Sequence, residues 1–186
     1  MSRSIKRREK TQQADTVVYT IGHSTHPIDE FLFILKTYGI ALLVDVRTIP
    51  KSRHNPQFNS EELSESLKKE GIGYLHMKGL GGLRHALKDS PNSAWRNASF
   101  RGFADYMQTE AFGESLDELI GTAKKQTAVI MCAEALPWRC HRSMIGDALV
   151  VRGVEVRDIF SKTECRSHTM TPWGKVAGAH VVYPGE

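Results

Sequence analysis

The stretch IALLVDVRTIP, Ile40 to Pro50, decides how the rest of the chain is read. It stays apolar from Ile40 to Val44 without alternating between faces, and only then meets Asp45 and Arg47. A continuous apolar run bounded by Gly39 and Pro50 marks a strand covered on both sides, as in parallel sheets flanked by helices. The neighbouring segments fit that reading. Upstream, TVVYTIGHS is a β-rich run ending in Gly22, His23 and Ser24. IDEFLFILKTYG then spaces Ile28, Phe31, Leu32 and Leu35 for one helical face and closes at Gly39. Downstream, NSEELSESLKKEG sets glutamates early and lysines late, along the helix dipole. IGYLHMKGLGG is a third strand entering a glycine turn.

SFRGFADYMQ and FGESLDELIGTAKKQ have amphipathic helical spacing. TAVIMCAE is a fourth strand, HRSMIGDALVVRG a helix and VEVRDIF a fifth strand. Strand–helix alternation with short connections predicts right-handed crossovers. The expected fold is therefore α/β: three layers, α/β/α, on a mainly parallel sheet of about five strands. Residues 16–186 form a single domain in this reading. One connection is too long and polar for a tight link, LRHALKDSPNSAWRNA, and residues 82–99 are a candidate lid loop.

The chain has 186 residues and a formal charge of +4. Its first ten residues, MSRSIKRREK, hold five Lys/Arg and one Glu, a net +4, so the remaining 20 basic and 20 acidic residues balance. Residues 1–15 are expected to be a disordered basic leader, able to touch nucleic acid weakly. The neutral remainder argues against a broad DNA-binding surface. No window has the apolar length of a membrane span or a secretory signal, so a cytoplasmic protein without membrane contact is expected. Three cysteines, Cys132, Cys140 and Cys165, do not make a disulfide framework.

Parallel α/β sheets bind ligands outside the carboxyl ends of their strands. In this parse those ends carry His23 and Ser24, Asp45 and Arg47, His76 and Lys78, and Cys132 and Glu134. The stretch MCAEALPWRCHRS, Met131 to Ser143, concentrates the chemistry. A thiol near a helix start is activated as a nucleophile. Arg139 or Arg142 could clamp two oxygens of an anion, and Glu134 and His141 can transfer protons. Cys132, Glu134, Cys140 and His141 are the catalytic candidates; Arg47 and Arg142 are the candidate anion clamp.

YTIGHST, VDVRTIPKSR, YLHMKGLGG and MCAEALPWRCHRSMIGDALVVRG together resemble the bacterial and archaeal domain of unknown function 488 family, from about Tyr19 to Ile159. The resemblance implies an α/β fold and a shared polar site, with no established reaction. It marks His23, Ser24, Asp45, Arg47, Gly81, Gly82, Cys132, Glu134, Cys140, His141 and Arg142. Of these, His23, Ser24, Asp45, Arg47, Gly81, Gly82 and Arg142 are the expected ligand-binding set.

Rival chemistries stay open at this point. A phosphatase loop spaces Cys and Arg by five residues, whereas six separate Cys132 from Arg139, and Pro137 removes one N–H. Zinc on Cys132, Cys140, His141 and His23 has unusual spacing. A redox pair of Cys132 and Cys140 is open, and so is a merely buried Cys132. Asp45 either binds ligand or pairs with Arg142. The GLGG turn lacks a phosphate-loop spacing, and its backbone geometry alone explains the glycines. No metal and no cofactor are expected. The expected function is an enzyme for a small anionic, phosphate- or nucleotide-like ligand; the alternative is a non-catalytic nucleotide or nucleic-acid binding module.

Overall fold

The computed structural model describes residues 16–185, so the basic leader lies outside the described residues. The apolar run at the centre of the sequence forms β2 (Leu42–Asp45), with all four residues buried. It lies between β3 (Gly73–His76) and β4 (Ala128–Cys132), and pairs in parallel with both. β4 pairs on its far side with β1 (Val17–Gly22), and β1 pairs with β5 (Glu155–Ile159), again in parallel. A sixth strand, β6 (Cys165–Ser167), closes that edge antiparallel to β5, giving the order β3-β2-β4-β1-β5-β6. The expected parallel core of five strands is present. The sixth is too short and polar to stand out as a strand in the sequence.

Helices cover both faces, as the two-sided burial of β2 and β4 requires. On one face lie α1 (Ile28–Thr37) and α2 (Ser60–Lys69), which bury Phe31, Leu35, Leu63 and Leu67 against Leu43, Val129 and Met131. On the other lie α3 (Ala98–Tyr106), α4 (Glu110–Ala123) and α5 (Arg142–Val151), packed on Val44, Ile130 and Cys132. Strand alternation makes this division: odd-numbered residues of β2 and β4 face α1 and α2, and even-numbered ones face the other layer. Each such buried aliphatic side chain contributes about 1.5–3 kcal/mol.

The C-terminal segment contributes a small hairpin, β7 (Lys175–Ala177) with β8 (His180–Val182). Val181 and Tyr183 join the core beside α5, whose residues Arg142 to Leu149 are all buried. This second cover explains why α5 is buried nearly all round.

The 82–99 connection is fastened at its middle. Asn92 is fully buried; its Oδ1 accepts from the Tyr183 peptide N–H and its Nδ2 donates to Asp105 Oδ1. Asp105 also accepts from Ser90 Oγ and the Leu87 peptide N–H. Trp95 is buried in the same core. Among the described residues, no helix is long and apolar enough to cross a membrane.

Candidate functional site at the carboxyl edge of the sheet

The carboxyl ends of β1, β2 and β4 meet through backbone hydrogen bonds that outlast the strands. His23 N–H donates to Cys132 O, Ser24 N–H to Ala133 O, and Val46 N–H to Met131 O. Ser24 has φ +46°, a left-handed backbone that a non-glycine residue rarely adopts and that clusters at functional sites.

Two polar groups form at this edge, one on each side of the sheet. On the α1/α2 side, Arg47 grips Asp45 with Nε–Oδ1 at 2.9 Å and Nη2–Oδ2 at 2.6 Å. Arg47 Nη2 also donates to Phe58 O at 2.7 Å, and Tyr74 Oη donates to Asp45 Oδ2 at 2.9 Å. Burial, reinforced by the Asp45 charge, pushes the Tyr74 phenol up, so it stays protonated as a donor. His76 Nε2–H donates to Arg47 O at 2.8 Å. The remaining Arg47 nitrogen, Nη1, lies 3.3 Å from His23 Nε2. Since His23 Nδ1 meets Ser24 O at 2.9 Å, the proton belongs on Nδ1 and Nε2 accepts. Burial, with the Arg47 charge adding to it, lowers His23 to about 4, against the Ser24 hydrogen bond. Its ring stacks on Phe58, centroids 4.3 Å apart.

Asp45 therefore pairs with Arg47, correcting the alternative of a pair with Arg142. The reason is parity: Asp45 belongs to the α1/α2 face, whereas Arg142 begins α5 on the other.

Arg142 is 1% exposed and acts as a clasp. Its Nη1 donates to Ile21 O at 3.0 Å, Glu134 O at 2.9 Å and Cys132 Sγ at 3.2 Å, and Nη2 donates to Ala135 O at 3.2 Å. Burial lowers its pKa to about 10, against the attraction of Asp158 and Glu134, which still leaves it charged at neutral pH. The loop it holds crosses directly over Gly22, where an added Cβ would lie 1.8 Å from Glu134 O. Only glycine permits that crossing.

On this second side the thiols gather. Cys132 ends β4, and Cys140 precedes α5 after a 3-10 turn at Pro137–Arg139. Their sulfurs are in disulfide contact, with Cα atoms 7.7 Å apart. That separation exceeds the usual ~4.4–6.8 Å, and a relaxed bridge would require the backbone to move. We read the pair as apposed thiols. Cys140 Sγ also accepts from the Arg142 peptide N–H at 3.4 Å and lies 3.5 Å from His141 Nδ1. His141 Nε2 lies 3.1 Å from Val46 O, so it carries the proton there and turns an accepting Nδ1 toward the sulfur. Burial, with the Arg142 charge adding to it, lowers His141 to about 4, against its backbone hydrogen bonds. The imidazole is therefore neutral at pH 7. Gly82 backs onto that ring; a Cβ there would lie 2.5 Å from Nδ1.

A cavity of about 280 Å³ opens where the two sides meet. It is lined by Cys132, Glu134, Cys140, His141, Gly82 and Arg47, among the expected residues, and also by Arg139, Thr48, Ser99 and Phe100. His23, Asp45, Gly81 and Arg142 do not line it; they hold or back the residues that do. Of the two arginines the motif offers as an anion clamp, Arg139 and Arg142, Arg139 is the one exposed on the cavity rim. Among the described residues, no three His, Cys, Asp or Glu side chains are grouped to hold a metal ion.

No curated protein and no solved structure matches the chain. The family model described as Domain of unknown function DUF488 matches residues 27–149, which contain β2 through most of α5 and every cavity-lining residue named above. That span is the greater part of the chain, and the chain belongs to the DUF488 family.

Proposed function

We propose that this protein is a thiol-dependent enzyme acting on a small anionic ligand, phosphate- or nucleotide-like, held in the cavity beside Cys140. One observation carries the reading: a cysteine faces the accepting nitrogen of a neutral histidine, inside a cavity edged by arginine. His141 Nδ1 takes the Cys140 proton only as the sulfur attacks, since burial opposes a resting imidazolium, and negative charge develops on Cys140 during that step. That charge is stabilised by the Arg142 peptide N–H and the start of α5, a ten-residue helix. Adjacent nucleophile and base groups of this kind are how thiol enzymes prepare attack. Arg139, exposed on the rim, is the anion-binding guanidinium; Arg47, its charge paired with Asp45 and its nitrogens engaged by Phe58 O and His23, shapes the cavity wall. Glu134 is the remaining acid/base group, and Cys132 stands beside the nucleophile under the Arg142 guanidinium.

Compared with the sequence-based expectation, the clamp moves from Arg142 to Arg139, because the Arg142 hydrogen bonds are committed to the loop that shapes the cavity. Gly81 and Gly82 serve by letting backbone approach Thr48 and His141, at the close distances given by their missing Cβ atoms.

The test begins with a thermal-shift screen of phosphorylated and carboxylated metabolites, since a ligand of the folded state raises Tm. A hit is expected to lose its shift in Arg139→Ala. Cys140→Ser is expected to keep the shift and lose turnover. Turnover that survives Cys140→Ser sinks the thiol mechanism. A ligand that binds and is never converted makes the chain a binding module.

A further inference from the structure

A second cavity, of about 230 Å³, lies on the far side of the same β4–α5 loop, against β5, β6 and the segment after it. All three tryptophans of the chain, Trp95, Trp138 and Trp173, line it, with Phe160 and Arg166. The aromatic walls form two pairs: Trp95 with Trp173, centroids 5.2 Å apart, and Trp138 with Phe160, 6.1 Å apart. Among the described residues, no ring contact joins one pair to the other, and the cavity lies between them. Trp138 is 57% exposed and Trp173 45%, an unusual cost for indoles in water. Trp95, 9% exposed, buries an indole N–H that no acceptor meets among the described residues.

The polar base of the cavity is already occupied. Asp158 accepts from Thr20 Oγ1 at 2.6 Å and from His168 Nδ1 at 2.9 Å, while His168 Nε2 meets Asp147 Oδ1 at 3.0 Å. Ser143 Oγ donates to Cys140 O. What remains for a ligand is aromatic surface and the Arg166 guanidinium, which lies 5.2 Å from the Phe160 ring centre and pairs with Glu164.

We propose that this cavity is a second ligand site, taking the base of a purine nucleotide between the two aromatic pairs with its phosphate toward Arg166. A base has a π-face for the indoles, and base–aromatic stacking with arginine is a general mode of nucleotide capture. The volume falls below the ~300–1,000 Å³ of drug-sized pockets, which suits one bicyclic ring with ribose and phosphate outside. An aromatic cage for a quaternary ammonium is the competing chemistry, and Arg166 on the rim opposes it. The site uses residues other than those of the thiol cavity and stands if that reading fails.

Intrinsic tryptophan fluorescence reads the site directly, because every fluorophore of this kind is in its wall. Titration with AMP is expected to quench saturably, adenosine more weakly, ribose 5-phosphate and choline not at all. Trp138→Ala and Trp173→Ala, both at exposed positions, should each weaken AMP about tenfold, with Tm unchanged. Arg166→Ala should bring AMP toward the affinity of adenosine, and Arg139→Ala should change nothing. The proposal is overturned by no saturable signal up to millimolar AMP, or by quenching with choline in place of AMP. It is equally overturned if AMP binding survives both tryptophan variants and vanishes in Arg139→Ala, which puts the nucleotide in the thiol cavity.

Discussion

Arg142 shows how one side chain converts a sequence motif into a shape. Three carbonyls and a sulfur converge on its guanidinium, on both sides of the β1 end. Hydrogen bonds to charged groups contribute about 1.5–3 kcal/mol each, and leaving buried carbonyls unpaired removes more than the bond. Arg142→Met is therefore expected to cost about 3 kcal/mol or more in urea unfolding; a loss below about 1 kcal/mol would mean the loop holds itself. Gly82 presents the opposite case, where the absence of atoms matters. Gly82→Ala drives a methyl into the His141 ring and should disturb the Cys140–His141 contact. The expected outcome is a changed pH dependence of Cys140 alkylation by iodoacetamide, with a smaller effect on Tm than Arg142→Met. An unaltered profile would show that His141 does not govern the thiol.

The connections, more than the strands, carry what is distinctive here. The β4–α5 loop has a cavity on each side: Arg139, Cys140 and His141 line one, Pro137 and Trp138 the other. The 82–99 segment, expected as a lid, contributes Gly82, Leu83 and Ser99 to the thiol cavity while its centre is tied to Tyr183 and Asp105. Asn92→Ala removes both ties from a fully buried position and should cost about 2 kcal/mol. Hydrogen exchange should then rise over residues 87–95 before it rises in β2 or β4. Uniform protection across these regions in the variant would show that Trp95 packing alone holds the segment.

Across the whole molecule, buried histidines of opposite habit set the pH response. His23, lowered to about 4, is neutral in the folded protein, whereas the unfolded chain binds its proton near 6.5. Between those values the unfolded state holds more protons, so stability falls as pH drops from 6.5 toward 4. His141, also lowered to about 4, adds to that limb with the same sign. For His168, burial alone would lower the pKa, but hydrogen bonds and charges of Asp147 and Asp158 outweigh it and raise the group to about 9. The folded state then holds the extra proton between 6.5 and 9, so its stabilisation is complete below 6.5 and is lost as pH rises through 9. Tm is expected to peak near pH 6.5. His168→Gln should lower that peak and flatten the alkaline limb; a limb parallel to the wild type would assign it to other groups.

His168 also marks the boundary of sequence reasoning. The strand–helix alternation, the parallel sheet and the collection of Cys132, Glu134, Cys140 and His141 at one edge followed from IALLVDVRTIP and its neighbours, because residue-level periodicity and strand-end position are local properties. The fate of each polar group did not follow. Asp45 chose Arg47 over Arg142 because strand parity separates them, Arg142 was spent on carbonyls, and Arg139 was left on the rim. The C-terminal segment, polar and unreadable by period, supplied a strand, a hairpin, the partner of two buried aspartates and a wall of the tryptophan cavity. Those outcomes depend on contacts between residues far apart in the chain, as His168 with Asp147 and Tyr183 with Asn92, whose geometry exists only once the layers have packed.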